Sequence, residues 1–431
     1  MTKIINISFI LLIFFSISIT GYSQGIILKQ SKISGIYRKG QKITVTAYTE
    51  NNKGDSLHIR VLKNNLTEVL KRSIMIEGAS QLLFQGSFDE PCSVIVEASI
   101  KEDYTALGFM VAPGNLKPGG ECLADFAEYW ERERNNLLTL PYDIKTSAVK
   151  DSDIDTGYSC VNVEINCTGP KPARGYLAKP EIAAPKSLPI VILVHAAGVK
   201  GSWCRSEPGN AMKYARMGVL CFDLNAHGML NGQTEEYYAD LEAGELKNYF
   251  LQGLTSRDDF YFRGMYLRLM RTIDFLTKQP EWDGKRIVVI GESQGGGQAL
   301  VAAGLDKRVS AVVAVVPAMC DWLGPLADRE GGWPQPLKAD VAREEILKTV
   351  PYFDAANILK KSKATLFVEI GLIDITCPPA SVYAAINQAK GRKIIFAVPF
   401  RSHQSPKNSM AKTWEETVYK PRELFIESYL K

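Results

Sequence analysis

The chain has 431 residues, 46% hydrophobic and 23% charged, a globular composition with length enough for two domains. Its 51 Lys and Arg nearly balance 47 Asp and Glu, and no dense basic cluster stands out, which excludes nucleic acid as the leading partner. Internal repeats and low-complexity stretches are absent.

Residues 1–23 read as an export signal. Lys3 gives a positive start, residues 9–15 are an unbroken apolar run, and Ile17 and Ile19 extend it. Gly21 and Ser23 then place small residues at the first and third positions before a cleavage point at Gln24. A membrane anchor needs about 20 apolar residues, more than this run supplies. No Cys follows closely enough to take a lipid, so a periplasmic or secreted protein without stable membrane insertion is expected. Export also permits disulfides among the eight cysteines, but their scatter and the lack of a C-x-x-C pair predict one or two bridges at most and no zinc site.

Residues 24–113 read as short strands. Residues 42–48, 57–62 and 93–98 alternate apolar and polar, with Asn51, Asn52 and Gly54 as turn residues between them. Strands of this size suggest an immunoglobulin-like β-sandwich, most simply a packing or substrate-orienting module, with carbohydrate binding as the second reading. Its single histidine, His58, falls within a strand and reads as structural.

A Pro- and Gly-rich linker over residues 113–120 leads into a second domain, 114–431, which opens with a helix marked by Phe126, Trp130, Leu137 and Leu138. Continuous apolar runs follow at residues 190–194, 219–222, 287–290 and 311–316, with near-continuous ones at 366–370 and 394–398. Such runs mark strands covered on both faces, as in a mostly parallel sheet flanked by helices. The spacing of Tyr266, Leu269, Met270, Ile273 and Leu276 predicts an amphipathic helix over residues 261–276. The fold class is therefore α/β, doubly wound, behind a small β-sandwich.

The chemistry lies where one of these strands meets a helix. Ile287-Val288-Val289-Ile290 runs into Gly291-Glu292-Ser293-Gln294-Gly295-Gly296-Gly297, a G-x-S-x-G pattern between strand and helix. A turn this tight leaves no room beside the serine for bulk, and the glycines meet that demand. A serine hydroxyl needs a base, itself oriented by a carboxylate, and on such elbows both follow the serine in the order acid, then His. Of the four histidines only His403 follows Ser293, and it comes shortly after the last strand. The acid is best placed at Asp374, directly after the run 366–370; Glu369 inside that run and Asp354, with no strand leading into it, are the rivals.

A developing oxyanion requires fixed donors. The amide of Gln294, next after the serine, is one, and the loop His195-Ala196-Ala197-Gly198 offers the other through Ala197. His195 reads as a tether for that loop. His227 also stands at a strand end, with loop fixing favoured and substrate contact as the lesser role. Trp203, Tyr237, Tyr238, Trp322 and Trp333 are aromatic candidates for stacking on a substrate ring, with Trp203 and Trp322 foremost.

Together these residues resemble the acetyl xylan esterase and cephalosporin C deacetylase family of α/β-hydrolases, over residue 116 to the end of the chain. The likeness is carried by Gly291-Glu292-Ser293-Gln294-Gly295-Gly296, Tyr261-Phe262-Arg263-Gly264-Met265-Tyr266-Leu267, Ala318-Met319-Cys320-Asp321-Trp322, Tyr352-Phe353-Asp354, Ile370-Gly371-Leu372-Ile373-Asp374 with Cys377-Pro378-Pro379, and His403. The resemblance implies a Ser293–Asp374–His403 triad, an oxyanion hole at Ala197 and Gln294, and no metal or cofactor. It implies removal of acetyl groups from saccharides such as xylan or xylo-oligosaccharides through an acetyl-serine. Another carboxylesterase class, acting on uronic acid or other small esters, is the alternative, and a prolyl-type peptidase a more distant one, since the segment before the elbow domain is too short for a propeller. Asn225-Ala226-His227 replaces the family's usual Arg-Gly-Gln, and His195-Ala196-Ala197 its His-Gly-Tyr; both changes bear on substrate range. The added sandwich weakens transfer of the family's multi-subunit assembly, and a homo-oligomer stays open.

Overall fold

A computed structural model describes residues 21–22, 25–50, 52–150, 154–407 and 409–431. The export signal expected over residues 1–23 lies outside these, except for the two-residue strand β1 (Gly21–Tyr22).

The N-terminal region is a sandwich. It is built from β2 (Ile26–Gln30), β3 (Ile36–Tyr37), β4 (Ile43–Thr49), β5 (Ser56–Lys63), β6 (Thr67–Met75), β7 (Ser80–Gly86), β8 (Cys92–Ile100) and β9 (Asp103–Val111). One sheet has the order β1-β2-β4-β7 and the other β3-β9-β8-β5-β6. Alternation along β4 and β5 turns Ile43, Val45, Ala47, Leu57, Ile59 and Val61 into the shared core, as the period of two demands. Two further strands show no alternation, for opposite reasons. β6 is exposed along nearly its whole length, whereas β9 is buried on both faces from Thr105 to Val111, so neither alternates. His58 lies in β5, where its Nδ1 bonds Ser73 Oγ across the sheet at 2.7 Å.

The second region is a nine-stranded mixed sheet ordered β10-β11-β12-β14-β13-β15-β16-β17-β18. Its strands are β10 (Ile144–Ala148), β11 (Tyr158–Ile165), β12 (Ala173–Pro180), β13 (Leu188–Val194), β14 (Leu220–Asn225), β15 (Trp282–Glu292), β16 (Ala311–Val315), β17 (Thr365–Gly371) and β18 (Lys393–Val398). The first three pair antiparallel, and from β14 to β18 all neighbours run parallel. Strand order reverses at β13, between β14 and β15, and the crevice beyond the carboxyl ends at such a reversal is where open α/β sheets bind ligands.

Two expectations need correction. The helix Tyr261–Leu276 is buried almost all round rather than amphipathic. Arg268 and Arg271 look like a solvent face in sequence, but their guanidinium groups satisfy inward-facing carbonyls at Ala226, Leu137, Leu140, Pro141 and Asn166. The expected disulfides do not form among the described residues: Cys122 and Cys167 are half-buried and the other six are buried as small core side chains.

Candidate active site

Strand β15 ends at Glu292 and the helix Gln294–Leu305 begins directly after Ser293, which adopts φ 55°, ψ −119°. That left-handed strain persists because the surroundings over-determine it. Ser293 N donates to Val315 O (2.9 Å), and Ser293 O accepts from Gly297 N (3.0 Å) and Ala318 N (2.9 Å). Glycine is obligatory on both sides of the serine. A Cβ on Gly291 would stand 2.4 Å from the Gly295 carbonyl carbon, and one on Gly295 2.3 Å from Val194 O.

The residues expected to act together converge. His403 Nε2 lies 2.9 Å from Ser293 Oγ, and His403 Nδ1 lies 2.9 Å from Asp374 Oδ2. Asp374 is fully buried, and its Oδ1 accepts from Thr376 N and Cys377 N, each at 2.8 Å. Three donors thus converge on the carboxylate, which keeps it aimed at the imidazole. Neither rival acid approaches His403. Glu369 pairs with Arg401 and Arg422 and accepts from Trp414 Nε1 at 2.5 Å. Asp354 accepts from the amides of Asp321 (2.8 Å), Trp322 (2.6 Å) and Ala356 (2.8 Å), capping a helical turn.

Cys377 Sγ, Asp374 and His403 also bring metal-ligand atoms within 4.8 Å of one another. Burial and the neighbouring Asp374 charge hold the Cys377 thiol well above its usual range, so it stays protonated, and the other two groups are already bonded to each other.

Gln294 opens its helix, so its N–H has no partner one turn back and is free to face the site. Ala197 lines the same cavity, and its loop is held from three directions. Trp203 Nε1 donates to Ala197 O (3.2 Å), His227 Nε2 to Gly198 O (2.9 Å), and His195 Nε2 bonds Asp223. Burial opposes charge on His195, but the Asp223 carboxylate outweighs it and raises its pKa. His227 differs: burial lowers it to about 3, so the ring stays neutral, with Nε2–H donating and Nδ1 accepting from Tyr261 OH at 2.6 Å.

The cavity above Ser293 has a volume of about 800 Å³ and is walled by Ala197, Trp203, Trp333, Thr376 and His403. Of the aromatic candidates, Trp203 is 65% exposed at its rim and Trp333 lines it. Trp322 is corrected: it is fully buried, with Nε1 donating to Trp333 O (2.9 Å), and offers no face to a ligand. His227 as a substrate contact is corrected on the same ground, being 1% exposed with both nitrogens engaged. Tyr238 is buried too, and Tyr237 packs against it. What sequence reasoning missed is Tyr249, whose hydroxyl donates to Gln294 Oε1 (2.5 Å) while its ring packs edge-on to His227 at 4.5 Å. Only the fold brings these residues together, and no local pattern marks Tyr249.

Residues 115–418 match the acetyl xylan esterase (AXE1) family. The chain belongs to that family. It is a carboxylic-ester hydrolase on an α/β-hydrolase scaffold. An acetyl esterase, Axe7A, of Xylanibacter ruminicola is 30% identical to this esterase over 337 residues, covering 77% of this chain and 75% of the relative. Among solved structures, the acetyl xylan esterase from Paenibacillus sp. R4 superposes with a TM-score of 0.60 at 26% identity, over 74% of this chain and 98% of that one. Acetyl xylan esterase 1 from Thermoanaerobacterium shares the fold at 22% identity and a TM-score of 0.57, over 74% and 98%.

Proposed function

We propose that this esterase deacetylates acetylated oligosaccharides or polysaccharides of the xylan class through an acetyl-Ser293 intermediate, and that it acts in the periplasm or outside the cell after cleavage of residues 1–23. The observation that carries the reading is the unbroken chain Asp374–His403–Ser293, with both contacts at 2.9 Å, at the floor of an open cavity in a member of this family. As Ser293 Oγ attacks the acetyl carbonyl carbon, its proton passes to His403 Nε2. Asp374 holds Nδ1–H and stabilises the imidazolium. The carbonyl oxygen becomes an oxyanion against the amides of Gln294 and Ala197, which are oriented before the charge appears. Collapse breaks the bond to the sugar oxygen, which leaves as the alcohol with the proton from His403. Water then repeats the sequence and releases acetate. Trp203, with its exposed indole at the rim, suits a sugar ring, whose C–H face stacks on an aromatic plane.

Acetate release from acetylated xylo-oligosaccharides by the mature protein tests this. Ser293→Ala is expected to cut kcat by at least about 10⁴-fold, and Asp374→Asn by roughly 10⁴-fold. Cleavage of an aryl acetate without release from the oligosaccharide would leave the triad standing and remove the saccharide assignment.

A further inference from the structure

We propose that the N-terminal sandwich is part of the catalytic scaffold: its β5–β6 turn and strand β9 hold the loop that carries Asp374, and Asn65 is a positioning residue for that acid. This rests on the reading of Asp374 as the triad carboxylate. The sandwich lies outside residues 115–418, the stretch matched to the family.

Asn64 and Asn65 form the β5–β6 turn with φ 56° and 58°, the paired left-handed conformations of a tight hairpin. Such a turn normally ends in solvent. Here Asn64 is only 8% exposed, because the tip is pressed against the hydrolase domain. Asn64 Nδ2 donates to Asp328 O (3.1 Å) and Asn64 O accepts from Glu330 N (3.1 Å), while Asn64 Oδ1 takes Ser93 N (3.1 Å) and ties the tip to its own sandwich. With the tip fixed, Asn65 Nδ2 reaches the main-chain oxygen of Asp374 at 2.9 Å. The acid is therefore held from both ends, its carboxylate by Thr376 N, Cys377 N and His403, its peptide by a side chain from the other domain.

Strand β9 supports the same loop. Gly108 N donates to Pro399 O (2.8 Å), in the segment that leads from β18 to His403. Leu372 lies so close that a Cβ on Gly108 would stand 2.2 Å from its carbonyl oxygen. Ile373 packs on Leu62, Ile95 and Ala106 of the sandwich. These contacts are why β9 is buried on both faces. The acid loop and the root of the base loop thus rest on one sheet, which fixes their separation. Misplacing a reacting group by about 1 Å costs on the order of 10²-fold in rate, so a sub-ångström shift of Asp374 has a measurable price.

The test is Asn65→Gly in the full-length protein, with kcat expressed per serine titrated by a fluorophosphonate so that any unfolded fraction drops out. Glycine accepts the left-handed turn and removes only the donor. We expect kcat to fall roughly 5- to 50-fold with KM unchanged within about twofold. The acid limb of the kcat/KM profile should move to lower pH, because a displaced Asp374 supports the His403 imidazolium less. Asn65→Asp, which also tolerates the turn, sets a carboxylate against the Asp374 carbonyl and should be worse than Asn65→Gly. If both variants keep kcat per active serine and the acid limb of the wild type, with only a lower Tm, the sandwich is a stabilising appendage and the proposal falls. Asp374→Asn measured alongside separates the two claims: an active Asp374→Asn removes the triad reading itself, whatever Asn65 does.

Discussion

His227 shows how a single residue can differ in role from what its position suggests. It follows the carboxyl end of β14, yet it uses both nitrogens on Gly198 O and Tyr261 OH and so supports the loop of residues 195–198. Its folded pKa of about 3 lies below the unfolded value of roughly 6.5, so the unfolded chain takes up the proton first. The stability this ring contributes is fully present above about pH 6.5 and drains away as the pH falls towards 3. His227→Phe keeps an aromatic ring beside Tyr249 but leaves two buried polar groups without partners, at a cost of about 2–4 kcal/mol. Denaturant titrations at pH 7.5 and pH 5 should show a less stable variant whose stability changes less between the two than the wild type's. An equal loss on acidification in both proteins would remove His227 as the titrating group. The contact of His403 with Ser293 was legible in sequence because four histidines allow elimination, whereas Tyr249 carries no local signal and was not.

Among the elements, the strand-to-helix elbow is the one whose sequence almost dictates its geometry. Four small positions, Gly291, Gly295, Gly296 and Gly297, each face backbone atoms at 2.9 Å or less from where a Cβ would sit. The helical turn at Ala355–Ile358 is a different case. Asp354, a rival acid in sequence, organises structure by receiving three amides from two segments. Burial, then the charge of Asp321, raises its pKa to about 7. A carboxyl raised above its unfolded value adds stability at low pH that is lost as the pH climbs through 7. Asp354→Ala removes the cap and strands those amides, for a loss of about 2–4 kcal/mol. Urea unfolding should show it as a lower midpoint at unchanged slope; an unaltered midpoint would mean that water replaces the carboxylate without cost.

Over the whole molecule, the two regions share their packing. Met110 of β9 belongs to the main core cluster of the hydrolase domain, and Gly108, Asn64 and Asn65 bond across the junction. Scanning calorimetry is expected to record one transition for the full chain, and two resolved transitions would show that the junction does not couple the regions. The cysteines give a second check at this scale. With no disulfide among the eight cysteines, reductant should leave Tm unchanged, and thiol titration in denaturant should count eight per chain. A lower count would reveal a bridge.

The sequence by itself determined what short-range physics controls. Continuous apolar runs specified the buried parallel strands, the glycines the elbow, and the order of Ser293, Asp374 and His403 which side chains would meet. Tertiary structure alone decided what depends on residues far apart in the chain. It buried Arg268 and Arg271 of one helix by supplying carbonyls to both. It enclosed Trp322 and His227 while leaving Trp203 at the cavity rim. It also brought a hairpin tip at Asn65 to the peptide of Asp374, 309 positions away. Periodicity reports which face of an element is covered, but not by what, and the cover is what sets each of these roles.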